Sequence, residues 1–408
     1  MNRIPLATGD RYLTMVSENN NNKFYHMHAP VGGKFTVEYG RIGGTGGFGG
    51  RVMSCVYDDW QWDQVYANRI AHGYKDISDQ YFALQGEIPE KTEDEEKPEK
   101  VTFTTKIMTM LKSFVSRFME SNYTVKAENI TSAMVKEADR ILGILQNQAS
   151  AGSVASFNRV LCDLWMTIPR AMYNTRSLIA SSADDFDRIV RREANYIDTV
   201  RSLVCDTVRI DPAKSRAMKT VSGYCDTHGI TISGTTAGED EMLKGMMGGD
   251  AHRFVRAYRV SNKPQEERFS KYAGKKGNVR KLFHGTVNEN IYSIIGNGLL
   301  LNPNARITGK MFGIGSYFAP KAGKSIGYTS LDGSYWANGR SRSAFLLVFD
   351  VAMGNVYNTS TYDRKWEERG FLNRYDSVHA HAGSMLRNDE IIVYNEAASC
   401  IRYMIEIR

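Results

Sequence analysis

The residues best suited to chemistry lie between Phe283 and Tyr328, and in a short segment about 60 residues further on. The first stretch contains HGT at the end of an apolar run, a short helical pattern ending in GNGL, and then GSYFA and KSIGY. The second segment reads NDEIIVYN. A single histidine or tyrosine usually has a structural role, so one motif alone carries little weight. Four motifs in this order are far more specific.

A glycine run at residues 43–50 contains a formal GxGxxG pattern. A dinucleotide-binding fold requires a helix directly after this pattern, because the helix N-terminus holds the pyrophosphate. The residues that follow, RVMSCVYDDW, alternate like a strand instead. The run therefore predicts a flexible hairpin.

Two His-x-His pairs occur, His26/His28 and His379/His381. On a strand, the members of each pair point to one face, as a metal site could use. The spacing suggests no third ligand, so no metal is expected.

The five cysteines contain no CxxC pair, which argues against a zinc cluster or a disulfide framework and favours a reducing, intracellular setting. The cysteines are Cys55, Cys162, Cys205, Cys225 and Cys400.

The composition indicates a folded, water-soluble chain. Of 408 residues, 42% are hydrophobic and 24% charged, which excludes wholesale disorder, collagen and coiled-coil classes. No apolar run approaches the ~18 to 20 residues that span a bilayer, and the first residues lack a signal-peptide pattern. The net charge is +7, and the surplus lies after residue 100. Such a surplus can attract nucleic acid or phosphates, but a solvated surface is an equally good interpretation.

The hydrophobic periodicity changes twice along the chain. Residues 1–86 contain short runs in which apolar and polar residues alternate, separated by glycine and asparagine turns. This pattern predicts a small antiparallel sheet, with one helix near Gln61–His72. Residues 87–101 are acidic and contain two prolines, which predicts an extended linker.

Residues 102–230 have three apolar stripes at helical spacing, which predict an all-α bundle. Residues 231–408 return to strand patterns, interrupted after Met242 by one good helix at Asn288–Gly296, and predict a β-rich domain. The chain as a whole is therefore predicted to be α+β and multidomain.

The four motifs resemble the catalytic domain of poly(ADP-ribose) polymerases, the diphtheria-toxin-like ADP-ribosyltransferases with a His-Tyr-Glu signature. The resemblance covers roughly residues 245–408. It implies that the chain cleaves NAD⁺ as a co-substrate, releases nicotinamide and transfers ADP-ribose, without a metal. The signature residues would be His284, Tyr317 and Glu390.

The resemblance also implies a nicotinamide pocket. Gly285 has no side chain, so its backbone N–H and C=O can approach the carboxamide. Tyr317 and Tyr328 would stack on the two faces of the cationic ring. The Ser325 hydroxyl would donate to the carboxamide oxygen.

The remaining family contacts concern the two riboses. His284 would contact the adenosine ribose, with Thr286 and Asn290 as neighbouring candidates. Glu390 would contact the 2′-hydroxyl of the nicotinamide ribose, stabilise developing positive charge and orient the acceptor. We expect the nearby Asp389 and Glu396 to be bystanders.

Two positions near the site have no single interpretation from the sequence. Lys324 could help to position the substrate, although a surface lysine is an equally good interpretation. Leu300 stands where family members often have an arginine near the adenosine.

Upstream segments extend the resemblance. FNRVLCDLWMTIPRAMYN is similar to the helical regulatory domain of DNA-dependent polymerases, although Arg170 replaces the acidic residue that commonly follows Ile-Pro. Residues 1–86 resemble a WGR domain, with Tyr39-Gly40-Arg41 in place of Trp-Gly-Arg. Tyr39 could stack on a nucleotide and Arg41 could meet a phosphate of a DNA end. A small packing or interaction module is the other interpretation of this domain.

These expectations combine into a leading hypothesis and two alternatives. The leading one is DNA-break-dependent poly(ADP-ribosyl)ation of proteins, including the chain itself. The second is mono-ADP-ribosylation of a particular target, or NAD⁺ hydrolysis. The third is a nucleic-acid-binding module with an inactive transferase fold. We expect no membrane partner, and a nuclear location in a eukaryote or a cytoplasmic one in a bacterial or viral setting.

Overall fold

The computed structural model describes most of the chain in ten stretches. These are residues 9–42, 52–78, 101–125, 127, 130–172, 174–208, 220–301, 311–337, 339–362 and 364–408. The glycine run at 43–50 and the predicted linker up to residue 100 lie outside the described residues. The chain divides into two compact units, Met1–Glu95 with Ser116–Cys205, and Glu96–Val115 with Asp206–Arg408. The domain limits inferred from the sequence stay a prediction.

The first unit contains an antiparallel five-stranded sheet in the order β4-β3-β2-β1-β5. Alternating apolar side chains of this sheet pack against the buried Trp62 of helix α1, which explains the alternation seen in the sequence. The elements are β1 (Arg11–Ser17), β2 (Asn21–Met27), β3 (Lys34–Arg41), β4 (Met53–Asp58), α1 (Trp62–Ala71) and β5 (Lys75–Asp76).

The helical part of the first unit has one apolar core, to which the three stripes of the sequence contribute. Thr131 and Ser153 cap two of the helices by accepting hydrogen bonds from the amides of Met134 and Ser156. The helices are the end of α2 (Phe103–Asn122), α3 (Ser132–Ala151), α4 (Val154–Thr167) and α5 (Phe186–Val208).

A charged pair is buried in this helical core. Arg170 and Glu193 are 5% and 1% exposed, and Arg170 Nε lies 4.0 Å from Glu193 Oε2. The guanidinium also lies over the rings of Tyr123 and Tyr196, at 5.0 and 4.4 Å from their centroids. The residue that departs from the family pattern after Ile-Pro is thus a packed and paired cation.

Asparagine side chains join the sheet to the helical segment within the first unit. The Nδ2 group of Asn22 donates to the carbonyls of Ile42 and Met172, at 3.2 and 2.8 Å. Asn20 Oδ1 accepts from the Thr175 amide at 3.0 Å and from Arg41 Nη2 at 3.2 Å. The Asn20 side chain therefore connects Arg41 to the helical segment.

The second unit contains two sheets. The first is antiparallel, in the order β6-β7-β14-β10-β8, and the second has the order β11-β12-β13-β9, with only β11 and β12 parallel. The strands are β6 (Ile230–Gly234), β7 (Phe254–Asn262), β8 (Val279–Gly285), β9 (Ser316–Phe318), β10 (Ala344–Ala352), β11 (Val356–Thr359), β12 (Ser377–Ala380), β13 (Glu390–Val393) and β14 (Ser399–Ile407).

The second unit also contains several helices, and the expectation of one good helix after Met242 is wrong. Helix α8 buries only Gln265 and Phe269, so it presents no apolar stripe to sequence reasoning. Asn262 caps it by accepting from the Gln265 amide at 3.0 Å. The helices are α6 (Val221–His228), α7 (Ala237–Met247), α8 (Lys263–Lys276), α9 (Asn288–Asn297), α10 (Ala322–Ile326) and α11 (Phe371–Arg374).

The first part of α2 also belongs to the second unit. Thr104 Oγ1 accepts from the amide of Ile232 at 2.9 Å and lies 3.2 Å from its carbonyl oxygen. The ring of Phe114 meets that of Phe345 edge-on at 6.3 Å. Within the described ranges, no helix is both long and apolar enough to cross a bilayer, and the four described cysteines form no disulfide with one another.

Candidate active site

Three strands of the second unit bring the predicted catalytic residues together. His284 lies near the end of β8, Tyr317 in the middle of β9 and Glu390 at the start of β13. Strand β9 is bound to both neighbours: the amide and carbonyl of Phe283 exchange hydrogen bonds with Ala319, and Tyr317 pairs with Ile392. The site therefore lies where the two sheets meet.

The imidazole of His284 is held by the strand next to it. Its Nδ1 lies 2.9 Å from the carbonyl oxygen of Tyr317, an acceptor that requires the hydrogen on Nδ1. The rings of Phe318 and Phe349 pack against it with centroids 5.8 and 6.0 Å away. The orientation of the imidazole is thereby defined by both polar and apolar contacts.

Gly285 is required by the close approach of helix α10. A Cβ atom built on this glycine would lie 1.7 Å from the carbonyl oxygen of Ser325 and 2.6 Å from its carbonyl carbon. Both are backbone atoms, so a side chain cannot be accommodated by a rotamer change. The approach places the buried Ser325 beside the Gly285 backbone.

The phenol of Tyr317 is fixed at its far end. Its hydroxyl accepts from the Phe312 amide and donates to the Gly313 carbonyl, each at 2.9 Å. Burial raises the pKa of Tyr317 well above its ordinary value. The ring is consequently a neutral, anchored aromatic surface.

Tyr328 is the second aromatic residue of the predicted pocket. Its amide donates to the Ser325 carbonyl at 3.0 Å, and its ring stacks on Trp336 at 5.9 Å with a 14° interplanar angle. Tyr328 is 39% exposed, and its partial burial, with the nearby charge of Glu390, raises its pKa to about 12. Sequence reasoning missed Trp336, for which the adjacent aromatic pair Tyr335-Trp336 shortly after KSIGY was the available signal.

Glu390 forms an ion pair with Lys324. Their side chains are 13% and 14% exposed, and Lys324 Nζ contacts Glu390 Oε1 directly. The same ammonium group lies 3.5 Å from the carbonyl oxygen of Asn388. Lys324 is thus a partly buried partner of the predicted catalytic carboxylate and not a solvent-facing surface lysine.

Comparison with known proteins identifies the family. The model of the poly(ADP-ribose) polymerase catalytic domain matches residues 242–408. The chain is 34% identical over 163 residues to the protein named putative poly(ADP-ribose) polymerase-like 100L of Invertebrate iridescent virus 6, which covers 37% of this chain and 83% of that protein. The chain belongs to the poly(ADP-ribose) polymerase family. The chain is an NAD⁺-dependent ADP-ribosyltransferase of mixed helix and sheet structure.

More distant relatives have longer chains. Poly(ADP-ribose) polymerase 2 of Zea mays is 31% identical over 184 residues, which are 45% of this chain and 24% of the maize protein. Protein mono-ADP-ribosyltransferase PARP4 of Mus musculus is 26% identical over 292 residues, which are 67% of this chain and 14% of the mouse protein. Both names agree with ADP-ribosyl transfer, and they differ on whether one unit or a polymer is made.

Thr286 and Asn290, the neighbouring candidates for contact with the adenosine ribose, follow Gly285 in the chain. Asn290, in α9, donates from Nδ2 to Thr286 Oγ1 at 3.0 Å, so these two side chains form one polar group next to His284 in the chain. Glu396 accepts from the Leu301 amide at 2.9 Å. This contact gives it a structural partner outside the His284, Tyr317 and Glu390 set.

The predicted DNA contacts, Tyr39 and Arg41, lie in the first unit, whereas the His284, Tyr317 and Glu390 set lies in the second. Tyr39 in β3 is partly buried, and its ring lies 5.8 Å from that of Tyr25. The contact of Arg41 with Asn20 has been described above. The roles assigned to all these site residues stay predictions.

Proposed function

We propose that this polymerase builds poly(ADP-ribose) on proteins, including itself, when its N-terminal region binds broken DNA. The observation that carries the proposal is the complete His284, Tyr317 and Glu390 set, with Glu390 paired to Lys324. An inactive transferase fold would have no need for a partly buried carboxylate beside two aromatic residues.

The donor set of the pocket suits nicotinamide. The backbone N–H and C=O of Gly285 can bond the carboxamide, and Ser325 lies against that backbone to supply a hydroxyl. The rings of Tyr317 and Tyr328 would hold the cationic ring between them, and the Trp336 ring stacks on Tyr328. Such fixed contacts favour departure of nicotinamide by holding the reacting bond in one orientation.

Glu390 would supply the electrostatic part of the reaction. Cleavage of the glycosidic bond develops positive charge on the ribose, and a carboxylate placed beside it stabilises that charge. Lys324 holds the carboxylate in one position. The same carboxylate would bond the 2′-hydroxyl and orient the next acceptor hydroxyl, which is the step that chain elongation requires. His284, Thr286 and Asn290 would hold the adenosine ribose.

The DNA dependence is proposed from the predicted order of the domains. Residues 1–86 would bind DNA, residues 102–230 would form a regulatory helical bundle, and residues 231–408 would form the catalytic domain. Arg41 and Tyr39 would meet the DNA end. The bond from Arg41 to Asn20, and from Asn20 to Thr175, supports a path from the DNA contact into the helical segment. DNA-dependent action would place the protein inside the cell, with the nucleus as its site in a eukaryote.

Mono-ADP-ribosylation is the second candidate, favoured by the mouse relative whose name states that activity. Labelled NAD⁺ incubated with the full chain, with and without nicked duplex DNA, separates the candidates by product length. The proposal expects a polymer ladder that appears with DNA, and Arg41→Ala should require more DNA and weaken the salt dependence of DNA binding. A single transferred unit supports the second candidate, and equal activity without DNA contradicts the regulatory part.

A further inference from the structure

Each His-x-His pair meets an aspartate in the fold. In the second unit, His379 Nε2 lies 2.8 Å from Asp389 Oδ2, and His381 Nδ1 lies 3.6 Å from the same oxygen. The three ligand atoms are all within 4.8 Å of one another. The spacing in the sequence suggested no third ligand, and the sheet supplies one.

The register of the sheet explains this convergence. Ala380 of β12 pairs with Glu390 of β13. Because side chains alternate between faces, His379 and His381 lie on the face opposite Ala380, and Asp389 lies there as the residue before Glu390. The cluster and the catalytic carboxylate are therefore on opposite faces of one hairpin.

Further contacts orient the potential ligands. The Ala382 amide donates to Asp389 Oδ1 at 2.9 Å, which leaves Oδ2 towards the histidines. His381 Nε2 lies 3.0 Å from Asn358 Oδ1, so a hydrogen on Nε2 directs the lone pair of Nδ1 towards Asp389. Although partial burial opposes ionisation, the Ala382 amide and His379 lower the pKa of Asp389 below its usual value.

The same arrangement recurs in the sheet of the first unit. His26 Nε2 and His28 Nδ1 lie 3.2 and 3.7 Å from Asp10 Oδ2, and the Ala29 amide donates to Asp10 Oδ1 at 2.8 Å. His28 Nε2 lies 3.4 Å from a carboxylate oxygen of Glu38. In both clusters the first histidine uses Nε2 and the second uses Nδ1 towards the aspartate Oδ2. In both, Nε2 of the second histidine has a further side-chain partner.

We propose that His379, His381 and Asp389 bind a divalent transition-metal ion of the zinc class. Ligands about 2.0–2.1 Å from a tetrahedral ion are about 3.3 Å apart, close to the observed separations. Two imidazoles select zinc-like ions over magnesium or calcium. His381 is 42% exposed, which leaves the ion a path from solvent and room for water as the fourth ligand. The ion would brace the hairpin that carries Glu390.

The test uses the full chain with the first-unit cluster removed by H26Q/H28Q, so that one site is measured. Co²⁺ is titrated and its visible d–d absorption recorded, and bound Zn²⁺ is counted after dialysis. We expect one equivalent of metal. We expect Asp389→Asn to abolish the absorption and Asn358→Ala, which keeps all three ligands, to weaken binding about tenfold or more. His252→Gln, at an exposed histidine bound to the Gly249 carbonyl, is the matched control and should bind normally.

Two results would overturn the proposal. In one, the H26Q/H28Q protein binds no Co²⁺ while circular dichroism shows that it is folded, which leaves an ordinary His–Asp hydrogen bond. In the other, metal binds but neither Asp389→Asn nor Asn358→Ala changes the affinity, so the ion lies elsewhere.

Discussion

Replacing Gly285 with alanine should inactivate the transferase through a steric clash whose size the structure gives. The added Cβ would lie 1.7 Å from the Ser325 carbonyl oxygen, which is half of the 3.4 Å at which ordinary van der Waals contact begins. Helix α10 or the end of β8 must therefore move by well over 1 Å. Since α10 carries both Ser325 and Lys324, the movement misplaces the carboxamide donor and the partner of Glu390 together.

The magnitude follows from that displacement. A misplacement of about 1 Å in an active site typically costs about 10²-fold in rate, and overpacking of this kind costs about 1–3 kcal/mol of stability. We therefore expect nicotinamide release from NAD⁺ to fall at least about 10²-fold in Gly285→Ala, while the melting temperature drops by only a few degrees.

Gly274→Ala is the matched control for this prediction. Gly274 lies inside α8, and a Cβ atom built there meets nothing within 4 Å. Because alanine favours helix over glycine, this variant should keep full activity and gain slight stability. Nicotinamide release by Gly285→Ala within about twofold of the parent would refute the placement of the pocket.

Three further substitutions test other parts of the account. Glu390→Gln should lower NAD⁺ turnover about 10²–10³-fold and abolish elongation at an unchanged melting temperature, because charge is lost and volume kept; unimpaired polymer synthesis would move the catalytic carboxylate elsewhere. Tyr328→Ala should raise the KM for NAD⁺ about tenfold, since one stacking face is lost; an unchanged KM would remove it from the pocket. Arg170→Met should destabilise the helical core by about 1–3 kcal/mol, because Glu193 loses its more buried cationic partner but keeps Arg192 at 2.7 Å; hydrogen exchange in α5 checks this, and unchanged protection would contradict it.

Local patterns predicted much of the fold. The alternation in residues 1–86 corresponds to strands β1 to β4, and the helical stripes face one core, because burial of one face imposes a period on the sequence. Helix α8 could not be found in this way, since it buries only two side chains and is formed by its cap and its helix-favouring residues.

The candidate site was predictable where the motif itself carries the residue. His284, Tyr317 and Glu390 stand in short, ordered segments, and the strand pairing brings those segments together. Contacts between side chains distant in sequence gave no such signal. The pairing of Lys324 with Glu390 spans 66 residues and depends on how α10 packs against β8.

The two aspartates beside the His-x-His pairs show the same limit of sequence reasoning. Asp389 follows its histidines after a loop, and Asp10 precedes its pair by most of a hairpin. Only the register of each sheet, together with the amides of Ala382 and Ala29, brings these carboxylates to the imidazoles.

The most direct test of the central claim is a crystal structure of the full chain with benzamide, which presents the ring and carboxamide of nicotinamide. The account predicts that the ring lies between Tyr317 and Tyr328, with the carboxamide bonded to the backbone of Gly285 and to the Ser325 hydroxyl. Benzamide bound elsewhere, or bound here without contact to Gly285, would contradict it.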